Sequence, residues 1–486
     1  DHHIVKRDFV KNIGIVSAGP IIAVVAAFIA EPWIARLWSP VVYGVGSYYF
    51  NIVSLLSGLL FFRYNYAIVQ AKDSRESHNL LVLCILILFL VTIIAFPFYG
   101  MITKNLETDF PFHEFKHILC FSIIVDSLST LLKYWHSGKK QFIVLTQSSV
   151  SASLFYIAMK LVFAYFGRAD EKSIILIRTL SFVLAFLILL WPYIKHDLKN
   201  TFESVSFKGI VRAARDYSQY PRYEYLGFLV NTLSVSLPVI LITRYWGPES
   251  NGHYVKAYNL IYVFIIFLGD AVNRVLHKET ADMVNRGESI GSFLNQTTEY
   301  LSRLALLPSV TIILFGPELF SVFLGANWVI SGEIARYIAI WALSGIVCTS
   351  IVPVYAVLNK QKQYTVFTIV LMFLRALVLI VFGLLEFSIT FTIAIFSLVN
   401  FAVLFFQSHY ILRKAGVNLQ DLGKSILSRL IQLIPYILAV IAVKTLFDLS
   451  KIYTLVIGTL LAAPYVYMFY IHKSPILSMM RRTRSS

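Results

Sequence analysis

Long apolar runs recur along the whole chain, and they constrain its fold more than any other feature. One of them, "LLVLCILILFLVTIIAFPFYG" at residues 80–100, is long enough to cross the hydrocarbon core of a bilayer as a helix. Of the 486 residues, 58% are hydrophobic and only 14% are charged. A soluble protein needs more polar cover on its surface than this. The sequence therefore predicts an all-α polytopic membrane protein.

Fourteen apolar segments are predicted to span the bilayer as helices. They cover residues 12–32, 41–62, 79–100, 115–135, 142–166, 174–194, 223–245, 255–276, 297–316, 334–357, 364–385, 388–410, 426–447 and 452–471. The fourth segment is interrupted by Asp126, and the eighth contains Lys256 and Asp270. A further apolar piece, residues 319–330, is too short to span and is expected to lie at the membrane interface.

Lysine and arginine residues are distributed unevenly between alternate loops. If the N-terminus is cytoplasmic, the loops on that side hold roughly three times as many basic residues as those on the other side. A single missed helix would invert every later loop and erase this alternation. The bias predicts that both termini lie in the cytoplasm. The net charge of +16 then matches anionic lipid headgroups, so membrane lipids are expected partners and nucleic acid is not.

Signatures of catalysis and of cofactor binding are missing from the sequence. It has neither a glycine-rich phosphate loop nor a His-Glu-x-x-His metal motif, and its histidines are scattered. The three cysteines, Cys84, Cys120 and Cys348, lie inside apolar runs and are interpreted as small core residues. No loop is large enough for a soluble catalytic domain. The chain is expected to be no enzyme and to need no cofactor and no metal.

The sequence of one turn occurs twice, once in each half of the chain. "IARLWSPVVYG" (Ile34 to Gly44) and "ITRYWGPESNG" (Ile242 to Gly252) share Ile, Arg, Trp, Pro and Gly at the same spacing. The first copy follows span one and the second follows span seven. Because six spans separate the copies, both face the same side of the membrane. A parallel repeat of this kind is a transporter architecture.

The repeat predicts two pseudo-symmetric six-helix bundles with two additional C-terminal helices. The longest polar stretch joins spans six and seven and contains "FKGIVRAARDYSQYP". It is interpreted as a linker helix on the cytoplasmic face, with a gating lever or a headgroup contact as the alternative. The predicted division is 1–194 for the N-terminal lobe, 195–222 for the linker, 223–412 for the C-terminal lobe, and 413–486 for the two additional helices and a basic tail.

Charged side chains inside spans are costly and are therefore candidates for function. The basic candidates for substrate binding are Arg36, Arg63, Lys160, Arg178, Arg244, Lys256, Arg274 and Arg375. Arg375 ranks first because it is the most deeply placed, within "TVFTIVLMFLRALVLIVFGLL". Lys160 and Arg178 lie nearer the outer half and either snorkel or contact substrate. Arg36 and Arg244, in the repeated turns, either snorkel to headgroups or flank the mouth of a central cavity.

Three acidic residues at or within spans are candidates for ion coupling: Asp126, Glu224 and Asp270. Asp270 and Arg274 are four residues apart, which suits either an intrahelical ion pair or a proton or cation site. Asp126 has no such local partner and is expected to pair across helices.

Two prolines lie in helices that the repeat makes equivalent. Pro20 is in span one and Pro238 is in span seven, although at different depths. Bending of these helices as gates is a hypothesis. It predicts that Pro238→Ala lowers the transport rate in cells, and transport at the unchanged rate would contradict it.

Two stretches resemble the polysaccharide-exporter family, the Wzx-type oligosaccharide flippases. The first carries Arg36-Leu37-Trp38-Ser39-Pro40, then Tyr43-Gly44, then Arg63-Tyr64-Asn65-Tyr66-Ala67-Ile68; the second carries Tyr220-Pro221, Leu237-Pro238 and Gly252. The motifs are specific over residues 36–80 and 217–260, while length and topology agree throughout. Asn65 stands where the family usually has an acidic residue, which puts any role of that carboxylate in doubt.

The resemblance implies the multidrug/oligosaccharidyl-lipid/polysaccharide superfamily, with two bundles around a cationic cavity. It implies a transporter in the bacterial inner membrane that moves undecaprenyl-pyrophosphate-linked oligosaccharide from the cytoplasmic to the periplasmic leaflet. Its product would serve surface polysaccharide, O-antigen or lipopolysaccharide, with the polymerase and chain-length regulator as expected partners. The alternatives are a drug/cation antiporter of the same superfamily and, further away, a membrane-embedded polysaccharide polymerase.

Overall fold

The computed structural model describes residues 22–105, 115–447 and 450–467. Apart from one π-helical turn, Tyr220–Glu224, and one 3-10 turn, Ala326–Trp328, the regular structure in these ranges is α-helical. The helices are α1 (22–37), α2 (Pro40–Leu59), α3 (Tyr64–Gln70), α4 (Ser74–Asn105), α5 (Lys116–Gly138), α6 (Phe142–Tyr165), α7 (Glu171–His196), α8 (Leu198–Ser204), α9 (Phe207–Asp216), α10 (Tyr225–Asn285), α11 (Gly291–Leu324), α12 (Val329–Val357), α13 (Gln361–Leu384), α14 (Ile389–Lys414), α15 (Leu419–Leu446) and α16 (Lys451–Val466).

The predicted all-α membrane fold is confirmed. Within the described ranges, ten helices are long and apolar enough to cross a membrane, or eleven when the bent pair α2 and α3 is one span. The remaining predicted spans are helical too: α1 is described only from residue 22, α16 is shorter, and α10 holds two spans that meet at Gly247. The apolar piece at 319–330 is the end of α11, a 3-10 turn and the start of α12, and its position at the membrane interface stays a prediction.

The chain forms two compact units, and the boundary between them lies between Gly252 and His253. In the first unit, α1 to α7 surround a core that includes Trp38, Tyr48, Tyr49, Phe61 and Trp135. The three cysteines are buried and free, as expected from their apolar surroundings. The division of the chain at the linker, 195–222, stays a prediction.

The linker helices are part of the first unit and pack on its other helices through specific polar contacts. Ser206 caps α9 by accepting from Gly209 N. Tyr64 donates its hydroxyl to Ala214 O at 2.8 Å, and Tyr217 donates to Glu76 Oε2 at 3.0 Å. Burial raises the pKa of Tyr217 to about 12, so it stays a neutral donor at physiological pH. These bonds hold α9 against the ends of α3 and α4.

The two C-terminal helices pack against α11 in the second unit. Leu306, Leu307 and Phe315 of α11 meet Leu433 and Tyr436 of α15 in one cluster. A small ion cluster closes the end of this interface. Lys444 Nζ lies 2.6 Å from Glu318 Oε1 and donates to Leu314 O at 2.7 Å, while Arg336 Nη2 lies 4.0 Å from Glu318 Oε2.

Removing the charge of Glu318 is expected to loosen α15. Glu318→Gln leaves Lys444 and Arg336 facing each other without the carboxylate that separates them. Both basic side chains are partly exposed, so the expected cost is about 1–3 kcal/mol. A lower melting temperature of the purified protein in detergent checks this. The matched control is Arg286→Gln, which removes an exposed ion pair to Glu288 and should change little. Equal melting temperatures for the two variants would contradict the role of Glu318.

Candidate functional site: buried charge and the repeated turns

Both copies of the repeated turn break a helix at the same position. Ser39 ends α1 and caps α2 by accepting from Val42 N, with Pro40 as the first helical residue. In the second copy, Gly247 stands in the place of Ser39, and its φ of 81° breaks α10 before Pro248. The sequence repeat is therefore a structural repeat.

The two turns touch each other through their glycines. An ideal Cβ on Gly44 would lie 1.7 Å from Pro248 O, and one on Gly252 would lie 1.9 Å from Pro40 O. Asn251 Nδ2 also donates to Gly44 O and to Ser47 Oγ, at 3.0 Å each. The glycines of the repeat therefore let two backbones approach, in a reciprocal contact between the copies.

Lys160 lies beside the first turn, with partners on several sides. Its Nζ donates to Tyr43 Oη at 2.8 Å, and Tyr43 donates to Glu31 Oε1 at 2.8 Å. The Lys160 carbonyl accepts from Trp38 Nε1 at 3.1 Å. Trp38 is 1% exposed, so it is a core residue and no interfacial anchor. The contacts of Lys160 are those of a buried cation that ties α6 to the turn, and its contact with substrate stays a prediction.

Lys160→Met is expected to lower stability more than it lowers transport. It removes the hydrogen bond to Tyr43 and leaves Glu31 with one cation fewer nearby, at a cost of about 1–3 kcal/mol. Melting temperature and transport per folded molecule are measured on the same preparation. Lys172, which is exposed at the start of α7, provides the control Lys172→Met. An unchanged melting temperature with lost transport would assign Lys160 to the substrate instead.

Arg63 and Glu224, two of the candidates, come together. Arg63 has a φ of 69° between α2 and α3, and its guanidinium lies over the rings of Tyr66 (3.9 Å) and Phe228 (4.5 Å). Its Nη2 is 3.9 Å from Glu224 Oε2, whose side chain is 52% exposed. The pair is at the limit of ion-pair distance and contributes little to stability by itself.

Arg178 and Asp126 line the same cavity in the first unit. Asp126 accepts from Ser57 Oγ at 2.6 Å, so it is bonded across helices as expected. The Arg178 guanidinium lies 3.9 Å from the centroid of Phe50, with Tyr156 and Phe182 also in contact. Lys133, two turns after Asp126 on α5, lines the cavity as well.

Arg375 has a polar partner that the sequence reasoning missed. Its Nε donates to Asn400 Oδ1 at 2.7 Å, and Asn400 Nδ2 donates to Phe396 O at 2.7 Å. Asn400 is fully buried in α14. An asparagine inside the apolar run "FSLVNFAVLFF" was a signal that could have identified this partner.

A ladder of tyrosines on α10 lies close to Arg375. Tyr254, Tyr258 and Tyr262 are one helical turn apart and stack at 5.8 and 4.8 Å between ring centroids. Tyr258 also contacts Trp341 at 6.2 Å. Arg375 lies within electrostatic range of all three tyrosines. A guanidinium can bind an anion, and the stacked rings beside it can pack against the apolar face of a sugar ring.

The remaining candidates are scattered. Lys256 is 4% exposed and lies over the Trp328 ring at 4.5 Å. Arg36 donates to Pro32 O at 3.1 Å, and Arg244 is exposed. The side chains of Asp270 and Arg274, and all of Pro20, lie outside the described residues. Pro238 lies within α10, nine residues before its break at Gly247. Gating by the prolines and ion coupling by the acids stay predictions.

A metal site is not indicated in the described parts of the chain. No group of three or more His, Cys, Asp or Glu side chains there could hold a metal ion.

Comparison with solved structures shows the fold. The lipid II flippase MurJ in an inward closed conformation matches with a TM-score of 0.71 and 14% identity, over 94% of this chain and 98% of that one. An inward-facing multidrug resistance MATE family transporter of the MOP superfamily matches with a TM-score of 0.64 and 13% identity, over 85% and 99%. At these identities, the likeness concerns the fold alone.

A third structure shares the fold. It is a MOP superfamily transporter from Pyrococcus furiosus, described as having a binding pocket of reverse polarity that suggests a different function. It matches with a TM-score of 0.54 and 15% identity, over 83% of this chain and 94% of that one.

Sequence comparison identifies the family. No curated protein sequence matches the chain significantly. The model of the family described as "polysaccharide biosynthesis protein" matches residues 33–333, which is more than half of the chain. The matched range includes both copies of the repeated turn. The chain therefore belongs to the polysaccharide biosynthesis protein family, as a multi-pass membrane protein with the fold of MOP-superfamily transporters.

Proposed function

We propose that the chain is a flippase for lipid-linked oligosaccharide. It would move undecaprenyl-pyrophosphate-linked repeat units from the cytoplasmic to the periplasmic leaflet of the bacterial inner membrane, by alternating access. The family supports polysaccharide biosynthesis, and a fold shared with transporters, among them a lipid II flippase, supports transport. Surface polysaccharide, including O-antigen of lipopolysaccharide, is the proposed destination.

Buried positive charge is the observation that carries this proposal. A pyrophosphate can enter a low-dielectric interior only if cations or hydrogen-bond donors replace its water. Lys160 and Lys256 are almost fully buried, and Arg178 and Arg375 are partly buried inside membrane-spanning helices. Arg178 lies over the ring of Phe50, and Arg375 donates to the side-chain amide oxygen of Asn400. Buried and half-buried cations inside membrane-spanning helices favour an anionic substrate.

Further parts of the proposal follow the predicted topology. The lobes 1–194 and 223–412 would alternate access, joined by the linker 195–222, with residues 413–486 appended and both termini cytoplasmic. The polymerase and the chain-length regulator of the same pathway would receive the product. Coupling to an ion gradient would use Asp126, Glu224 or Asp270. No step of this cycle makes or breaks a covalent bond, so the chain is proposed to act without enzymatic activity.

Complementation tests the proposal. The chain is expressed in strains that lack their own flippase, each with a different repeat unit, and surface polysaccharide is measured. Restored polysaccharide in at least one strain is expected. The MATE-like fold favours a drug/cation antiporter as the second candidate. Drug resistance without restored polysaccharide in any strain would select that candidate and reject the flippase.

A further inference from the structure

A polar cavity opens inside the first unit, between α2, α5, α6 and α7. Its volume is about 440 Å³, within the range of small-molecule binding sites. Eight hydroxyl side chains line it, together with Asp126, Lys133 and Arg178. The hydroxyls belong to Ser54, Ser57, Ser129, Thr130, Ser148, Ser149, Ser153 and Ser181. Helices that otherwise bury apolar residues thus converge on a strongly polar space.

The guanidinium of Arg178 is held in place by rings rather than by an acid. Phe50 and Phe182 lie on it at 3.9 and 5.2 Å, and these two rings stack at 6.0 Å from each other. Its Nε is buried and has no hydrogen-bond partner among the described residues. An unsatisfied N–H on a charged group is costly to bury. The Nε–H of Arg178 is thus a donor for which a ligand in the cavity that Arg178 lines could provide the acceptor.

Acceptors lie across the same space. Asp126 uses Oδ2 for Ser57, and a carboxylate oxygen can accept more than one further hydrogen bond. Ser129, Ser148 and Ser181 donate to backbone carbonyls at 2.7–3.0 Å, which leaves their lone pairs as acceptors. A ligand rich in hydroxyl groups would satisfy these acceptors, and an anionic group would satisfy Arg178.

The charges select the kind of ligand. Arg178 and Lys133 give two positive charges against one negative charge of Asp126, so the cavity favours one negative charge in its occupant. Lipid tails cannot satisfy the hydroxyls. Phe50 and Phe182 line the same space and give it an apolar wall against which a sugar ring can pack.

We propose that this cavity binds a hydroxylated ring that carries one anionic group. Two parts of a lipid-linked oligosaccharide have this chemistry: an acidic sugar such as a uronate, and the phosphate-bearing sugar at the lipid link. The inference rests on the proposed function. It places sugar recognition within a single bundle, on residues of four helices of the first unit, and gives Arg178 and Asp126 complementary roles.

Protection of an introduced cysteine tests the site. Ser149 lines the cavity and is exposed, whereas the native cysteines are buried, so Ser149→Cys gives one reactive thiol in the full-length protein in detergent. The rate of its reaction with a neutral maleimide is measured with glucose, glucuronate, glucose 1-phosphate or inorganic pyrophosphate. Glucuronate or glucose 1-phosphate should slow labelling at least threefold, and glucose at the same concentration should not. Which of the two protects better distinguishes an acidic sugar from the sugar at the lipid link.

Second variants exclude indirect effects. Adding Arg178→Gln should abolish protection, and Arg178→Lys should keep part of it because the charge remains. A cysteine at the exposed Leu377 of α13, in the second unit, should show no protection. The site is rejected if neither sugar anion slows labelling, or if pyrophosphate alone does so. This measurement does not depend on transport, so the two proposals can fail separately. Failed complementation with intact protection would reject the flippase and keep the site. Successful complementation without protection would keep the flippase and reject the site.

Discussion

Replacing Gly44 with alanine is expected to prevent the protein from folding stably. The new Cβ would lie 1.7 Å from Pro248 O, and that oxygen belongs to backbone that cannot rotate away. The two turns would have to separate by more than an ångström, which would also break the hydrogen bond from Asn251 to Gly44 O. Overpacking against backbone of this kind is expected to cost about 3 kcal/mol or more. Gly252→Ala should have the same effect, because its Cβ meets Pro40 O.

The measurement is the yield and melting temperature of monodisperse protein in detergent. Gly227→Ala and Gly423→Ala are matched controls, since both glycines lie in helices with no atom within 4 Å of the added Cβ. These controls should be neutral or slightly stabilising, because alanine favours the helix. If the Gly44→Ala variant has the same yield and melting temperature as the Gly423→Ala variant, the close contact between the turns is unimportant for stability.

The repeat was visible in the sequence, and its purpose was not. Equal spacing of Trp, Pro and Gly predicted two equivalent turns, and Ser39 and Gly247 do break their helices at matching positions. The contact between the copies joins residues far apart in the chain, and no local pattern encodes such a pairing. Trp38 shows the same limit. It stands at a helix end, and its hydrogen-bond acceptor, the Lys160 carbonyl, belongs to another helix that the local sequence does not indicate.

Helices were predictable because hydropathy acts locally along each segment. The candidate cavity was less predictable from the sequence, because its polar residues come from four helices. Asp126 and Arg178 were each recognised as charges inside spans, and only the packing of α5 against α7 brings them to one space. The serines around them are common in membrane helices and gave no separate signal.

Arg375→Ala is expected to lower transport strongly while the protein still folds. Arg375 lies well inside α13, and its bond to Asn400 holds it beside the tyrosines of α10. Losing a hydrogen-bonded charge that also meets an anionic substrate costs about 1.5–3 kcal/mol, or roughly a ten- to hundred-fold loss in rate. Restored surface polysaccharide in a complemented flippase-null strain, normalised to membrane-inserted protein, measures it.

Two further substitutions of Arg375, by lysine and by methionine, separate substrate binding from packing. Arg375→Lys keeps the charge and should retain part of the transport, whereas Arg375→Met keeps the apolar stem and should lose transport like alanine. Lys362→Ala is the control, because Lys362 is exposed near the start of the same helix and its loss should change nothing. Normal transport by the Arg375→Met variant would show that the positive charge at this position is dispensable. The anionic end of the substrate would then be bound elsewhere, and Lys256 and Arg178 would be the next residues to replace.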